Sequence, residues 1–191
     1  MHPPHLAQLC KDLALEFRRD PRGGRVASLL SAYASAHDDW RAWAMFESDR
    51  YTRNLVQKEE QFELLLLCWG AAHRSPIHNH EGQRCWMAVL EGQISETLFE
   101  APRDDHALGE PLVQGTSRNF RPSQVAFITD EVALHEISAA GGAPAVSLHL
   151  YSRPFSTCQV YDRETGRIAV RQLGYHSVRG ERAVSSANPR S

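Results

Sequence analysis

The sequence predicts a mainly β protein, a small β-barrel of the jelly-roll type preceded by short N-terminal α-helices. Residues 50–175 contain many short runs rich in Val, Ile, Leu, Phe and Thr, separated by Gly, Pro, Asp and Ser, a pattern typical of sandwiches and barrels. Residues 1–49 instead show the apolar spacing of helices. A chain of 191 residues suits one domain with a sizeable core, so we expect residues 1–191 to form a single domain.

Three short helices are predicted in residues 1–49. Pro3 and Pro4 are suited to open the first, because a missing backbone N–H does no harm there. Residues 20–24 would end it, and Asp38 or Asp39 is a candidate cap for the third. The apolar faces comprise Leu6, Leu9, Leu13 and Phe17, then Val26, Leu29, Leu30 and Tyr33, then Trp40, Trp43 and Phe46. We expect packing elements here, with only ordinary surface histidines at His2, His5 and His37.

Ten strands are predicted after the helices, at residues 51–57, 62–69, 76–80, 84–90, 94–100, 124–129, 134–137, 146–151, 158–161 and 167–172. Residues 91–93, Glu-Gly-Gln, predict a hairpin turn with Gly92 at positive φ. Residues 101–119, with their Pro, Asp and Gly, predict a surface loop. Residues 176–191 predict a C-terminal tail that is partly disordered.

Composition favours a protein that acts on a small molecule. The net charge is −2, so neither nucleic acid nor a membrane surface is indicated as a partner. We expect the protein to be a monomer. No apolar run approaches the roughly 20 residues of a membrane span, and no secretory signal is visible, so we expect a cytoplasmic protein. The four cysteines, Cys10, Cys68, Cys85 and Cys158, are scattered without a C-x-x-C pair, so disulfides are not expected.

The stretch 75–85, Ser-Pro-Ile-His-Asn-His-Glu-Gly-Gln-Arg-Cys, is the strongest candidate for chemistry. Side chains alternate along a strand, so His78 and His80 point to the same side and can share a metal ion. Such a pair also occurs by chance on solvated strands. The apolar run before it and the later His135 and His149 in strand-like segments favour the metal site.

An H-x-H pair on a barrel strand, with a further histidine about 55 residues later, resembles the cupin superfamily. The usual cupin motif places a carboxylate ligand at a position that falls here on Arg84 or Cys85, and Glu81 comes too early to replace it. The resemblance therefore implies three neutral ligands, His78, His80 and His135. Such a set leaves the full charge of a divalent ion for anionic substrate atoms such as a thiolate.

Further stretches resemble the cysteine dioxygenase family over residues 51–166, and by extension most of the chain. They are Tyr-Thr-Arg-Asn-Leu-Val at 51–56, Leu-Leu-Cys-Trp-Gly at 66–70, Ile-His-Asn-His at 77–80 with Cys85, Leu-Glu-Gly-Gln at 90–93, Glu-Thr-Leu-Phe at 96–99, Leu134 with His135, and Ser-Leu-His-Leu-Tyr-Ser at 147–152 with Pro154 and Phe155. The resemblance implies oxidation of L-cysteine by O2 to cysteine sulfinate. It also implies one mononuclear non-haem Fe(II) per chain as the cofactor, held by the three histidines.

The same resemblance assigns Arg53 to the substrate carboxylate, which a guanidinium can grip through two parallel hydrogen bonds. The alternative is a surface arginine in a salt bridge. Tyr51, on the same strand face, either adds its hydroxyl to that carboxylate or is a core aromatic.

Ser147, His149 and Tyr151 share one face of a strand and, by resemblance, form a hydrogen-bonded row beside the substrate. His149 is expected to orient Tyr151 rather than to act as a fourth ligand. In animal members of the family the cysteine at the Cys85 position forms a thioether with the tyrosine at the Tyr151 position, although many bacterial relatives lack that cysteine. Both partners are present here, so a Cys85–Tyr151 crosslink is predicted.

The sequence departs from the family pattern at two positions. Asn79 stands where Asp is usual; we expect its side chain to face away from the metal and to affect only packing or the contacts around the metal ligands. Arg153 stands in Ser-Arg-Pro-Phe where Ser-Pro-Pro-Phe, with a cis bond, is usual. Because a non-proline cis bond costs about 2.5–4 kcal/mol, we expect a trans bond before Arg153, an altered pocket wall and a second cation near the site.

Two other functions remain open at this point. A 3-mercaptopropionate dioxygenase usually carries Gln in place of Arg53, so Arg53 favours cysteine, whereas Arg153 keeps this rival in play. A non-catalytic cupin that binds a metal or a small ligand would need the histidines. It would have no need of Arg53, Cys85, His149 and Tyr151.

Overall fold

The computed structural model describes residues 3–102 and 110–183. These ranges contain two α-helices, one 3₁₀-helix and thirteen β-strands. The helices are α1 (Pro4–Arg19), α2 (Val26–Ala36) and the 3₁₀-helix (Asp39–Trp43). The predicted mainly β fold with N-terminal helices is confirmed. His2, residues 103–109 of the predicted loop and residues 184–191 of the predicted tail lie outside the described residues.

The strands form two sheets, in the manner of a jelly roll. In chain order they are β1 (Thr52–Lys58), β2 (Glu63–Trp69), β3 (Ile77–His78), β4 (Cys85–Glu91), β5 (Ile94–Phe99), β6 (Gln114–Phe120), β7 (Val125–Ile128), β8 (Leu134–Ala139), β9 (Ala145–Tyr151), β10 (Thr157–Tyr161), β11 (Ile168–Gln172), β12 (Ser177–Val178) and β13 (Glu181–Arg182). The seven-stranded sheet has the order β13-β12-β1-β2-β9-β4-β7, and the six-stranded sheet has the order β11-β10-β3-β8-β5-β6.

The central strands β2 and β9 are buried along their whole length. On one face of the seven-stranded sheet, Leu66 and Leu148 pack with the helices, including Phe17 of α1. On the other face, Leu65 packs with residues of the six-stranded sheet such as Ile137. A strand covered on both faces needs no polar alternation, which explains the unbroken apolar run of β2. The face of β9 that lies between the sheets carries the candidate site.

The N-terminal helices are fastened by a carboxylate. Asp39 accepts hydrogen bonds from the backbone N–H of His5 at 2.7 Å and of Leu6 at 3.2 Å, and from the Tyr33 hydroxyl at 2.8 Å. It therefore satisfies the otherwise unpaired N–H groups that open α1, rather than capping its own helix. The predicted third helix is only a short 3₁₀ turn, and Phe46 lies beyond it. No helix in the described ranges is long and apolar enough to cross a membrane.

The predicted hairpin at residues 91–93 is wrong, although its glycine is correctly placed. Gly92 has φ of 71°, and a Cβ there would lie 2.4 Å from the carbonyl oxygen of Pro144. The strands it joins, β4 and β5, belong to different sheets. The turn therefore carries the chain from one sheet to the other, because both strands find their hydrogen-bond partners elsewhere.

Two predictions of irregular structure are also wrong in part. Residues 114–119 of the predicted loop belong to β6, which pairs with β5 at the edge of the six-stranded sheet. This strand is almost entirely exposed, so it lacks the apolar alternation that reveals half-buried strands. In the predicted tail, β12 pairs in parallel with β1, and β13 pairs with β12. Strands of two residues are too short to leave a pattern.

Candidate metal centre and substrate cavity

Three histidines come together at the six-stranded sheet. His78 on β3 lies directly opposite His135 on β8 in the six-stranded sheet, and His80 follows in the turn after β3. Ring centroids are 5.2 Å apart for His78 and His80, 4.7 Å for His78 and His135, and 4.6 Å for His80 and His135. One ring nitrogen from each lies within 4.8 Å of the other two. These three side chains can hold one metal ion.

Each imidazole has its Nδ1 atom paired away from this centre. Nδ1 of His78 lies 3.0 Å from the carbonyl oxygen of Pro76. Nδ1 of His80 lies 3.3 Å from Oδ1 of Asp130, and Nδ1 of His135 lies 2.8 Å from Oε1 of Glu96. Because these partners accept hydrogen bonds, each Nδ1 carries the proton and each Nε2 lone pair is left for a metal. Nε2 of His80 is buried without a hydrogen-bond partner, as expected of a ligand atom.

Burial keeps two of these imidazoles, His78 and His135, uncharged. It lowers the pKa of His78 to about 3, with a further contribution from His80, and it lowers the pKa of His135 well below the usual range. Neutral imidazole is the form that binds metals. Within the described ranges the group includes neither a carboxylate nor a thiol. Glu81 is exposed in the following turn. The donor set therefore fits a divalent ion of borderline softness and leaves coordination positions open.

Two carboxylates that the sequence analysis did not identify, Asp130 and Glu96, accept hydrogen bonds from His80 and His135. Asp130 also accepts the backbone N–H groups of His80 and Gly82, each at 2.7 Å. Burial alone would raise the pKa of Asp130, but the hydrogen bonds from His80 and Gly82 outweigh it, and the pKa is lowered. Burial raises the pKa of Glu96 to about 7. Glu96 lies in one of the family-like stretches, so only that residue left a signal in the sequence.

A second row of polar side chains lies on β9. Nε1 of Trp69 donates to Oγ of Ser147 at 3.0 Å, and this oxygen lies 3.0 Å from Nε2 of His149. Nδ1 of His149 is 3.5 Å from the Tyr151 hydroxyl. Burial lowers the pKa of His149, so this imidazole is neutral too. The row thus extends beyond the three residues expected from the sequence to Trp69 on β2.

Arg53 on β1 is buried beside Tyr151, with its Cζ 5.9 Å from the centre of that ring. Only 11% of its side chain is exposed. Its Nε and Nη2 atoms, one edge of the guanidinium, have no hydrogen-bond partner. Burial alone would lower the pKa of Arg53, but Tyr151, Tyr51 and Glu63 outweigh it and the pKa is raised. Arg53 therefore lines the cavity as a charged side chain with two buried donors that have no hydrogen-bond partner.

Arg53 and His78, one of the three histidines of the centre, line one cavity. Its walls are Tyr51, Arg53, Pro76, His78, Tyr151, Phe155, Cys158, Arg171 and Leu173. Tyr51 stacks on Trp69 with a centroid distance of 4.6 Å, so it is both an aromatic of the wall and a neighbour of Arg53. A larger cavity of about 330 Å³ lies outside and shares Tyr51, Arg53, Arg171 and Leu173 with the inner one.

The second cation near the site is not Arg153. That residue is exposed and is not among the residues that line the inner cavity, whereas Arg171 of β11 lines both cavities. No cis peptide bond occurs within the described ranges, so the predicted trans bond before Arg153 is confirmed. The side chain of Asn79 accepts a hydrogen bond from the backbone N–H of Gln159 at 2.9 Å, which ties the histidine strand to β10.

Cys85 lies directly opposite Tyr151 in the pairing of β4 with β9. Both side chains are buried. Residues opposite each other in an antiparallel pair have Cβ atoms about 4.5–5.5 Å apart and interact on the same face. Phe155 packs edge-on against the other side of the Tyr151 ring, at 4.9 Å between centroids. This register brings the cysteine to the tyrosine that lines the cavity.

Residues 2–164 match the family described as cysteine dioxygenase type I. The chain is 39% identical to cysteine dioxygenase type 1 of Rattus norvegicus over 95% of this chain and 91% of the relative. It is 38% identical to cysteine dioxygenase type 1 of Homo sapiens over 98% of this chain and 94% of the relative. A solved Klebsiella pneumoniae protein with a double-stranded β-helix domain is 9% identical, with a TM-score of 0.48 over 72% of this chain and 98% of that one.

Proposed function

Because the chain belongs to the cysteine dioxygenase type I family, we propose that it is an iron-dependent thiol dioxygenase that oxidises L-cysteine with O2 to cysteine sulfinate. One observation carries this proposal. A centre of three imidazoles without a carboxylate contributes His78 to a cavity that Arg53 also lines, and the buried Nε and Nη2 atoms of Arg53 have no hydrogen-bond partner. The first suits a thiolate, and the second suits the carboxylate of the same small molecule.

The metal would be a single ferrous ion held by His78, His80 and His135. When bound, it would hold the substrate thiolate and activate O2, while the sulfur of the substrate supplies the electrons that reduce O2. Glu96 and Asp130 would keep the imidazoles oriented, since each accepts a hydrogen bond from an Nδ1 atom. The fit to iron rather than another divalent ion rests on the family, because three imidazoles suit several metals.

The other residues would bind and orient the substrate. Arg53 would receive the carboxylate along its Nε and Nη2 edge, with the Tyr51 hydroxyl in support. Ser147 and His149 would hold the Tyr151 hydroxyl where it can donate to the reacting atoms. With Phe155 and Leu173 the wall excludes bulk water, so these interactions act in a low dielectric.

We also propose that Cys85 and Tyr151 form the thioether, with O2 as the oxidant that accepts the two hydrogens lost. The direct cross-strand register supports this step. The crosslinked protein would be lighter by about 2 Da in an intact-mass measurement, and Cys85→Ser would abolish the change. A free Cys85 thiol in protein that has turned over would contradict the proposal.

The decisive experiment loads the metal-free protein anaerobically with Fe(II), adds L-cysteine and air, and measures sulfinate and O2 consumption. We expect one sulfinate for each O2 consumed, by a monomer with one iron per chain. A higher kcat/KM for 3-mercaptopropionate than for cysteine would favour the rival dioxygenase. Iron-loaded protein that binds cysteine but consumes no O2 would indicate a non-catalytic binding protein.

A further inference from the structure

The proposed chemistry leaves one buried charge beside the cavity without a role. Glu63, the first residue of β2, has no exposed side-chain surface. It lies opposite Lys58 in the pairing of β1 with β2 and opposite Tyr151 in the pairing of β2 with β9. A carboxylate fully removed from water is retained only where neighbouring donors or cations stabilise it.

One carboxylate oxygen of Glu63 is fixed from outside the cavity. Its Oε1 accepts a short hydrogen bond from the Tyr175 hydroxyl. Nζ of Lys58 donates to the same hydroxyl at 3.1 Å and lies 3.9 Å from Oε1. These contacts come from β1 and from the segment before β12, and neither Lys58 nor Tyr175 lines the inner cavity.

The other oxygen faces Arg53 without bonding to it. Oε2 of Glu63 lies 3.7 Å from Nη2 of Arg53, and neither atom has a hydrogen-bond partner. At this distance the two charges attract each other strongly in a buried site. The separation nevertheless exceeds that of a hydrogen bond, so the Nε and Nη2 donors of Arg53 stay open.

We propose that Glu63, held back by Tyr175, is a resident counter-charge that sets how tightly Arg53 binds the carboxylate of the substrate. It acts through Arg53 and does not touch the substrate, so it is a positioning residue. This inference rests on the proposed role of Arg53. Glu63 stabilises the charge of Arg53 without occupying its Nε and Nη2 donors, so the affinity for carboxylate-bearing thiols becomes a balance between two anions.

Two substitutions then have opposite effects. Glu63→Gln removes the competing negative charge and keeps the shape of the side chain, so cysteine should bind about tenfold more tightly or better. Tyr175→Phe keeps the ring but frees Oε1, so the carboxylate can turn and hydrogen-bond to the edge of Arg53. Cysteine should then bind several-fold more weakly. A merely structural role would weaken binding in both variants.

The test measures the dissociation constants of L-cysteine and of cysteamine, which has no carboxylate, by anaerobic calorimetry on Fe(II)-loaded protein. Cysteamine should bind equally to all variants, because it makes no use of Arg53. Glu60→Gln removes an exposed carboxylate three residues away and should leave both constants unchanged. The KM for cysteine should follow its dissociation constant, with kcat less affected.

The inference is overturned if Glu63→Gln and Tyr175→Phe shift the dissociation constant of cysteine in the same direction. It is also overturned if a substitution changes the dissociation constants of cysteine and cysteamine equally. Should Glu63→Gln fail to fold, Tyr175→Phe decides alone, and unchanged or tighter cysteine binding would refute the role. If unmodified protein binds cysteine but forms no sulfinate, the proposed function fails, and the binding comparison still tests Glu63.

Discussion

The histidine end and the guanidinium end of the inner cavity are built in opposite ways. Each imidazole that faces the metal position has its second nitrogen paired with a fixed acceptor, Pro76, Asp130 or Glu96. Arg53 has a buried edge without any hydrogen bond and a counter-charge kept at 3.7 Å. The imidazoles at the histidine end are thus oriented by the protein itself, whereas the Nε and Nη2 donors at the guanidinium end are left free for a substrate.

This difference matches what each end must hold. A metal site tolerates little displacement of its ligands, so orientation must come from outside the coordination sphere. A substrate must enter and leave, so its binding group cannot already be satisfied by the protein. A bound carboxylate would supply acceptors to the buried Nε and Nη2 donors of Arg53.

The largest effect should come from the histidine end. His135→Ala removes one of three ligands, and we expect the iron content to fall from one per chain to near zero and sulfinate formation to become undetectable. Metal analysis after gel filtration checks the first, and product assay the second. His5→Ala changes an exposed histidine and should alter neither. Full iron occupancy in the His135 variant would rule out this centre.

The guanidinium end should be separable from the metal end. Arg53→Ala removes a partner of a buried charge pair, at a cost of about 3–5 kcal/mol, so kcat/KM for cysteine should fall by about a hundredfold or more at about 1.4 kcal/mol per decade. Iron binding should stay near one per chain. A comparable loss of cysteamine binding would mean that Arg53 supports the fold rather than the carboxylate.

A smaller effect should follow at the groups that orient the ligands. Glu96→Gln weakens the acceptor for Nδ1 of His135, and we expect about tenfold lower iron affinity. Competition with a chelator of known affinity measures it. Glu131→Gln, which alters an exposed carboxylate, is the control. Unchanged iron affinity in the Glu96 variant would show that packing alone orients His135.

The smallest effect concerns the cation at the mouth of the cavity. Exposed charges contribute about 0.2–1 kcal/mol, so Arg171→Ala should raise the KM for cysteine by no more than about fivefold, and less at high salt. Arg153→Ala should leave the KM unchanged, because Arg153 does not line the cavity. A larger rise in the KM for cysteine in Arg153→Ala than in Arg171→Ala would show that Arg153 contributes to substrate binding.

The metal end was largely predictable from sequence, and the guanidinium end was predictable only in part. The H-x-H spacing predicted that His78 and His80 act together, although His80 lies just after β3 and not within it, and the family-like stretches supplied His135 and Arg53. Nothing in the local pattern pointed to Asp130 or to Tyr175, because each reaches its partner through a contact between residues distant in the chain. Arg153 was a plausible second cation by sequence position, but the chain turns it outward.

The sequence by itself determined the alternation of short strands, the helical start of the chain, the paired histidines and the need for glycine at Gly92. These follow from local rules of period and backbone freedom. The tertiary structure alone decided that β4 and β5 part into different sheets, that exposed β6 and short β12 are strands, and that Glu63 faces Arg53. Such features depend on strand register and burial, because a side chain's neighbours across a sheet are set by pairing and not by its own segment.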